Sequence, residues 1–128
     1  MIYEFCAENV TLLEKAMQAG ARRIELCDNL AVGGTTPSYG VTKAAVELAA
    51  NYDTTIMTMI RPRGGDFVYN DLEIAIMLED IHLTAQAGSQ GVVFGALTAD
   101  KKLDKTNLEK LIAASKGMEI VFHMAFDE

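Results

Sequence analysis

Glu4-Phe5-Cys6 and Glu25-Leu26-Cys27 repeat one pattern, a carboxylate and a thiol two residues apart. In an extended strand, positions i and i+2 point to one face, so each pair shares a side. If that side lines the inside of a curved sheet, two thiols and two carboxylates converge near the strand ends, with Met59 and His123 on neighbouring strands. Thiolate, thioether and imidazole donors suit a soft metal such as copper(I), or zinc. The competing reading makes the cysteines small buried hydrophobes and lets Glu4 or Glu25 neutralise an arginine inside the sheet. No CxxC or HxxxH spacing decides between the two.

Arg61-Pro62-Arg63-Gly64-Gly65-Asp66 is the most concentrated polar motif. Two guanidiniums beside two glycines suit a clamp for a carboxylate or phosphate, since arginine offers a bidentate fork and glycine lets backbone N–H groups approach an anion. The alternative is an ion pair to Asp66 that orders a long loop. His123 is expected at the end of the fifth strand, four residues before Asp127. It suits a general acid or base, with Asp127 or Glu25 as its partner, or a metal ligand. His82, in a helix beside Glu79 and Asp80, reads as a solvated surface group. Gly33-Gly34-Thr35-Thr36-Pro37-Ser38 has neither a GxGxxG fingerprint nor a Walker lysine and reads as a turn. Met57 and Met59 read as core filling.

The elements that must position these groups alternate in period. Short apolar runs at Ile2 to Cys6, Arg23 to Cys27, Thr55 to Ile60, Gly91 to Phe94 and Glu119 to His123 read as strands. Between them lie four helical stretches. The first carries Leu12, Leu13, Ala16 and Met17 and stops at Gly20. The second carries Val41, Ala45 and Leu48 after Ser38 or Gly40. The third opens on Asn70 with Glu73, a capping-box pair, carries a broad apolar face through Leu72, Ile74, Ile76, Leu78, Ile81, Leu83 and Ala85, and ends at Gly88. Asp104 or Thr106 caps the fourth, with Leu108, Leu111 and Ile112, and Gly117 stops it.

The order βαβαβαβαβ calls for an α/β fold with a parallel sheet. Gln18-Ala19-Gly20 before one strand is echoed by Gln86-Ala87-Gly88 before another, which suggests a repeated βα unit of the kind that builds barrels. The helix-to-strand turns are short. The strand-to-helix connections at 28–40, 61–69 and 95–103 are long and glycine-bearing, so function is expected at the strand C-terminal ends.

Eighteen acidic residues against eleven basic ones give a formal charge of -7, which argues against partners with anionic backbones or anionic lipid surfaces. Small molecules, metal cations or other subunits are the expected partners. The start of the chain reads directly as a strand, without the basic and apolar segments of a signal peptide, and the two cysteines read as reduced thiols of a cytoplasmic protein.

Taken together, Glu4-Phe5-Cys6, Arg23-Ile24-Glu25-Leu26-Cys27, Gly33-Gly34-Thr35-Thr36-Pro37-Ser38, Met59-Ile60-Arg61-Pro62-Arg63-Gly64-Gly65-Asp66-Phe67-Val68-Tyr69, Met77-Leu78-Glu79-Asp80-Ile81, Gly91-Val92-Val93-Phe94-Gly95-Ala96-Leu97-Thr98 and Phe122-His123-Met124-Ala125-Phe126-Asp127 closely resemble the CutC copper homeostasis family. The resemblance implies a cytoplasmic TIM-type barrel that assembles as a homodimer or larger homo-oligomer. It also implies copper(I) binding, with Cys6 and Cys27 as thiol ligands. Met124 departs from the family pattern, standing where arginine is common after the histidine, and this weakens any anion site needing that charge. The alternative function is a barrel enzyme acting on a small anionic substrate, with Arg61 and Arg63 as its clamp. Residues 1–128 are expected to form one domain, the N-terminal part of a (β/α)8 barrel with about five of its eight strands. The chain would then be a truncated or partial one, or another subunit would cover its open side.

Overall fold

Runs of two-residue and 3.6-residue periodicity fold into five strands and four helices in alternating order. The computed structural model describes residues 3–122, so His123, Met124 and Asp127 lie outside the described residues. The strands are β1 (Tyr3–Glu8), β2 (Ala21–Cys27), β3 (Thr55–Met59), β4 (Gly91–Phe94) and β5 (Glu119–Phe122). The helices are α1 (Leu13–Gln18), α2 (Tyr39–Ala49), α3 (Asp71–Ala87) and α4 (Lys105–Ala114). Among the described residues the five strands all pair in parallel, and the sheet order β1-β2-β3-β4-β5 is the chain order. Each strand returns through a helix to lie beside its predecessor, the progression that builds a TIM-type barrel. The chain is thus α/β, a five-strand arc of such a barrel, and among the described residues β1 and β5 are its edges.

Local chemistry sets the element ends. Ser38 caps α2 by accepting from the Val41 N–H at 3.1 Å, and Asp104 caps α4 by accepting from the Asn107 N–H. Asn70 and Glu73 complete both bonds of a capping box on α3. Gly20 and Gly88, the two ends of the Gln-Ala-Gly echo, take φ of +102° and +94°, a conformation that suits glycine after a helix. β1 runs two residues beyond Cys6 because Ala7 and Glu8 still pair with Leu26 and Cys27.

The sheet's outer face holds most of the core. Ile24, Leu26 and Ile56 pack on Leu13 and Met17 of α1 and on Ala45 and Ala49 of α2. Val92 and Phe94 pack on Ile74, Met77 and Ile81 of α3 and on Leu108 and Leu111 of α4. Each large side chain buried in this way contributes about 1.5–3 kcal/mol. The apolar face of α3 is narrower than its composition suggests. Ile74, Met77, Ile81, Thr84 and Ala87 are buried, while Leu72 is 70% and Ile76 43% exposed. Steps of three and four residues from Ile74 reach Met77 and Ile81 but carry Leu72 and Ile76 to the opposite side of the helix.

The inner face is more polar at its base. There Arg23 on β2 bonds Glu4 of β1 at 3.4 Å and Glu119 of β5 at 2.8 Å. Higher up, Cys27, Met57, Met59 and Val93 form a small apolar cluster. Gly91 leaves the room that the Met57 thioether fills, since a Cβ there would stand 2.5 Å from its sulfur. Among the described residues no helix is long and apolar enough to cross a membrane.

Candidate metal-binding face

Strand alternation places Glu4, Cys6 and Glu8 of β1 on the same face as Arg23, Glu25 and Cys27 of β2. In the register Glu4 lies opposite Arg23, Cys6 opposite Glu25, and Glu8 opposite Cys27. The two Glu/Cys pairs therefore interleave on one surface. Cys6 is exposed and Cys27 buried, and both are free thiols. The Cys27 thiol donates to the Ala7 carbonyl at 3.6 Å. Glu4 is engaged by Arg23, as the charge-neutralising reading anticipated, whereas Glu25 has no such ion pair among the described residues.

Low dielectric and a surplus of carboxylates keep these groups protonated more than usual. Burial, followed by the charges of Glu25 and Glu4, raises the Cys6 thiol pKa. Burial pushes the Cys27 thiol up to about 11, with Cys6, Glu8, Asp28 and Glu25 adding to the effect. Burial and Glu4 also raise Glu25, against the opposing pull of Arg23. Among the described residues neither thiol has the electropositive surroundings that make a reactive nucleophile. Two neighbouring soft donors do fit an ion that binds thiolate tightly. Among the described residues no three His, Cys, Asp or Glu side chains group as a metal cage would. A site here would rest on the two sulfurs, with the Met59 thioether close by.

Of the two readings of the arginine motif, the structure shows the loop-ordering ion pair, from Arg63 to Asp66 at 3.1 Å. Arg61 is buried, and its guanidinium donates to the carbonyls of Val32 (2.6 Å), Gly34 (3.0 Å) and Gly65 (2.8 Å) while lying over the Phe67 ring. Its Nε is buried without a hydrogen-bond partner among the described residues. Arg63 turns toward α3, where it bonds Glu73 and Asp66 and the carbonyls of Gly64, Asp66 and Val68. Neither side chain presents an open fork to a ligand. Both are consumed in shaping the connection between β3 and α3, because each long loop carries carbonyls that must find donors.

A cavity of about 280 Å³ opens between this connection and the one after β4, bounded by Asp66, Phe67, Leu97 and Lys101. No residue of the Glu/Cys face lines it. His82 is exposed and shares a hydrogen bond with Gln86, as its sequence setting anticipated. The structure therefore brings Cys6, Glu25 and Cys27 together and sets Arg61 and Arg63 apart from them, and the roles drawn for His123 and Asp127 fall outside the described residues. Glu8 lies beyond the apolar run that marks β1 in the sequence, which ends at Cys6, whereas the strand pairs on to Glu8 opposite Cys27. Sequence reasoning also missed Gly34, whose ideal Cβ position lies 3.2 Å from the Cys27 sulfur. The signal available for Gly34 was a glycine pair a few residues beyond a strand-end cysteine.

Comparison with known proteins follows the same lines. The model of the CutC family matches residues 1–128. A CutC family protein of Streptococcus pyogenes serotype M6 is 57% identical over 127 residues, which cover 99% of this chain and 61% of that protein. One from Enterococcus faecalis is 54% identical, with the same shares covered. The crystal structure of a Streptococcus agalactiae CutC protein, named for copper homeostasis, superposes with a TM-score of 0.95 at 51% identity, covering 99% of this chain and 60% of that one. The chain thus spans about six-tenths of the length of these relatives.

Proposed function

This chain belongs to the CutC family, and from that premise we propose that it serves copper homeostasis by holding copper(I) between the thiols of Cys6 and Cys27. The observation that carries this reading is the register of β1 on β2. Cys6 lies opposite Glu25, two residues before Cys27 and on the same face. Strands about 4.8 Å apart with a two-residue offset of about 6.6 Å put the two Cα atoms about 8 Å apart. That exceeds the roughly 4.4–6.8 Å a disulfide tolerates. An ion between two sulfurs, at about 2.3 Å from each, spans the extra distance.

The donor set suits this cargo. Two thiols and an adjacent thioether favour a soft monovalent ion over a hard divalent one. Each thiol gives up its proton as the ion binds, so the raised thiol pKa values set a threshold that only a strongly thiophilic metal overcomes. The reducing cytoplasm is the compartment in which such thiols persist, and assembly into a homo-oligomer belongs to the same reading. The alternative, a barrel enzyme acting on a small anion, has its two clamp arginines already bonded to loop carbonyls and carboxylates.

Anaerobic copper(I) titration against a competing chelator tests the proposal. One tightly bound equivalent is expected in the native chain, and its loss in the variant carrying Cys6→Ser and Cys27→Ser. Unchanged affinity in that variant would discard the thiol site.

A further inference from the structure

The sequence offers two glycines, Gly33 and Gly34, in the connection after β2, and both take left-handed backbone, with φ of +91° and +95°. Each is also wedged against a functional group. A Cβ on Gly33 would stand 3.1 Å from Arg61 Nη1. A Cβ on Gly34 would stand 3.2 Å from Cys27 Sγ and 3.6 Å from Met59 Cε. The glycine turn is thus a thin layer of backbone between a buried guanidinium and a buried thiol.

What holds it there is Arg61. One guanidinium nitrogen takes the carbonyls on both sides of the turn, Val32 at 2.6 Å and Gly34 at 3.0 Å, and the other takes Gly65. The backbone of Arg61 is fixed to the same connection, since Thr36 Oγ1 accepts from its N–H at 2.8 Å and donates to its carbonyl at 3.1 Å. An antiparallel bridge between Asp28 and Thr35 closes the base of the turn. Between this turn and the side chains of Met57, Met59 and Val93, Cys27 is 2% exposed, although Cys6, its diagonal neighbour on β1, stands exposed on the same face.

We propose that the Gly33–Gly34 turn, pinned by Arg61, is a shield that makes Cys27 an inner thiol approached from the side of Cys6, and that Arg61 is a positioning residue for that thiol. The shield stands on geometry alone. Its use in ordering ligand exchange rests on the copper reading given above. A copper(I) ion arriving on a donor thiolate then exchanges first onto the Cys6 sulfur, where a second sulfur has room to approach. It passes next to Cys27; of the two thiol protons displaced, one goes to solvent and the other leaves on the released donor thiol, with no change of oxidation state. A bulky thiol or disulfide meets Cys6 but not Cys27.

Alkylation by N-ethylmaleimide, followed residue by residue by peptide mass spectrometry, tests the shield without any metal. In the native chain Cys27 is expected to react slower than Cys6 by about tenfold or more, the protection that a local opening step imposes. In Arg61→Lys, which keeps the charge and loses the fork, Cys27 should gain rate while Cys6 is unchanged. Gly34→Ala, whose added carbon collides with the sulfur, should act the same way. Equal rates for the two thiols in the native chain overturn the shield, as does a folded Arg61→Lys or Gly34→Ala chain with Cys27 still protected. If neither variant folds, the native chain in low urea decides. Opening at Cys27 should then carry only a fraction of the global urea dependence, and exposure by global unfolding alone rejects the proposal. A protected Cys27 together with a failed copper titration would remove the copper reading and leave the shield standing.

Discussion

The connection at 61–66 and the Glu/Cys ends of β1 and β2 are both rich in polar groups, yet they treat them in opposite ways. In the connection almost every donor is spent: Arg61 on three carbonyls, Arg63 on two carboxylates and three carbonyls. On the strand face a thiol and a carboxylate, Cys6 and Glu25, sit opposite each other with no ion pair among the described residues, and partial desolvation and neighbouring carboxylates raise the pKa of both. Satisfied networks fix shape, while groups left with spare valence at some energetic cost are available for a ligand. The more conspicuous motif is therefore scaffold, and the less conspicuous one keeps the groups on which the proposed chemistry rests.

Substitutions can break or sharpen this contrast. The largest effect is expected from Arg61→Met, which leaves the carbonyls of Val32, Gly34 and Gly65 without their donor, a loss of about 3 kcal/mol or more. Urea unfolding at an unchanged slope measures it, and a shift within about 0.5 kcal/mol would deny the connection its structural role. Cys27→Ser comes next. A hydroxyl replaces a thiol in the cluster with Met57, Met59 and Val93, at about 1–2 kcal/mol by the same measurement.

Arg63→Ala is expected to cost less at neutral pH, because its ion pairs are partly solvated, but its effect carries a pH signature. Arg63, then the Asn70 N–H, holds the Glu73 carboxyl below the usual carboxylate range, and the Val68 N–H and then Arg63 do so for Asp66. A carboxylate pKa depressed by folding adds stability above its unfolded value, near 4, and that stability is lost as pH falls through the folded value. The gap in urea midpoint between native and Arg63→Ala chains should thus hold steady from neutral pH down to about 5 and close below about 4. A gap independent of pH would show that the carbonyl bonds alone matter. The smallest change, Cys6→Ser, should leave stability within about 0.5 kcal/mol while removing the exposed thiol proposed above as a copper ligand. A large loss there would place Cys6 in the scaffold and erase the contrast.

Much of the fold is legible because its signals are local. Asn70 with Glu73, Ser38, Asp104, Gly20 and Gly88 each satisfy backbone groups within a few residues, so spacing alone locates them. The shared face of Cys6 and Cys27 is legible for the same reason, since alternation along a strand needs no tertiary knowledge. What Arg61 bonds is not legible, because its acceptors lie on Val32 and Gly34, far away in sequence. Leu72 and Ile76 mislead for a related reason: a helix apolar on two sides does not declare which side meets the sheet.

The base of the inner face settles a question of shape. Arg23 on β2 and Glu119 on β5 are three strand spacings apart, about 14 Å across a flat sheet whose side chains would stand parallel. Their 2.8 Å bond requires the side chains to lean together, as they do when a sheet rolls. Arg23 also bonds Glu4 on β1, so one side chain links both edge strands of the described sheet. The roll is then a property of these five strands themselves, drawn in from below like the neck of a bag, and the thiols above sit on a wall already curved to face a common centre.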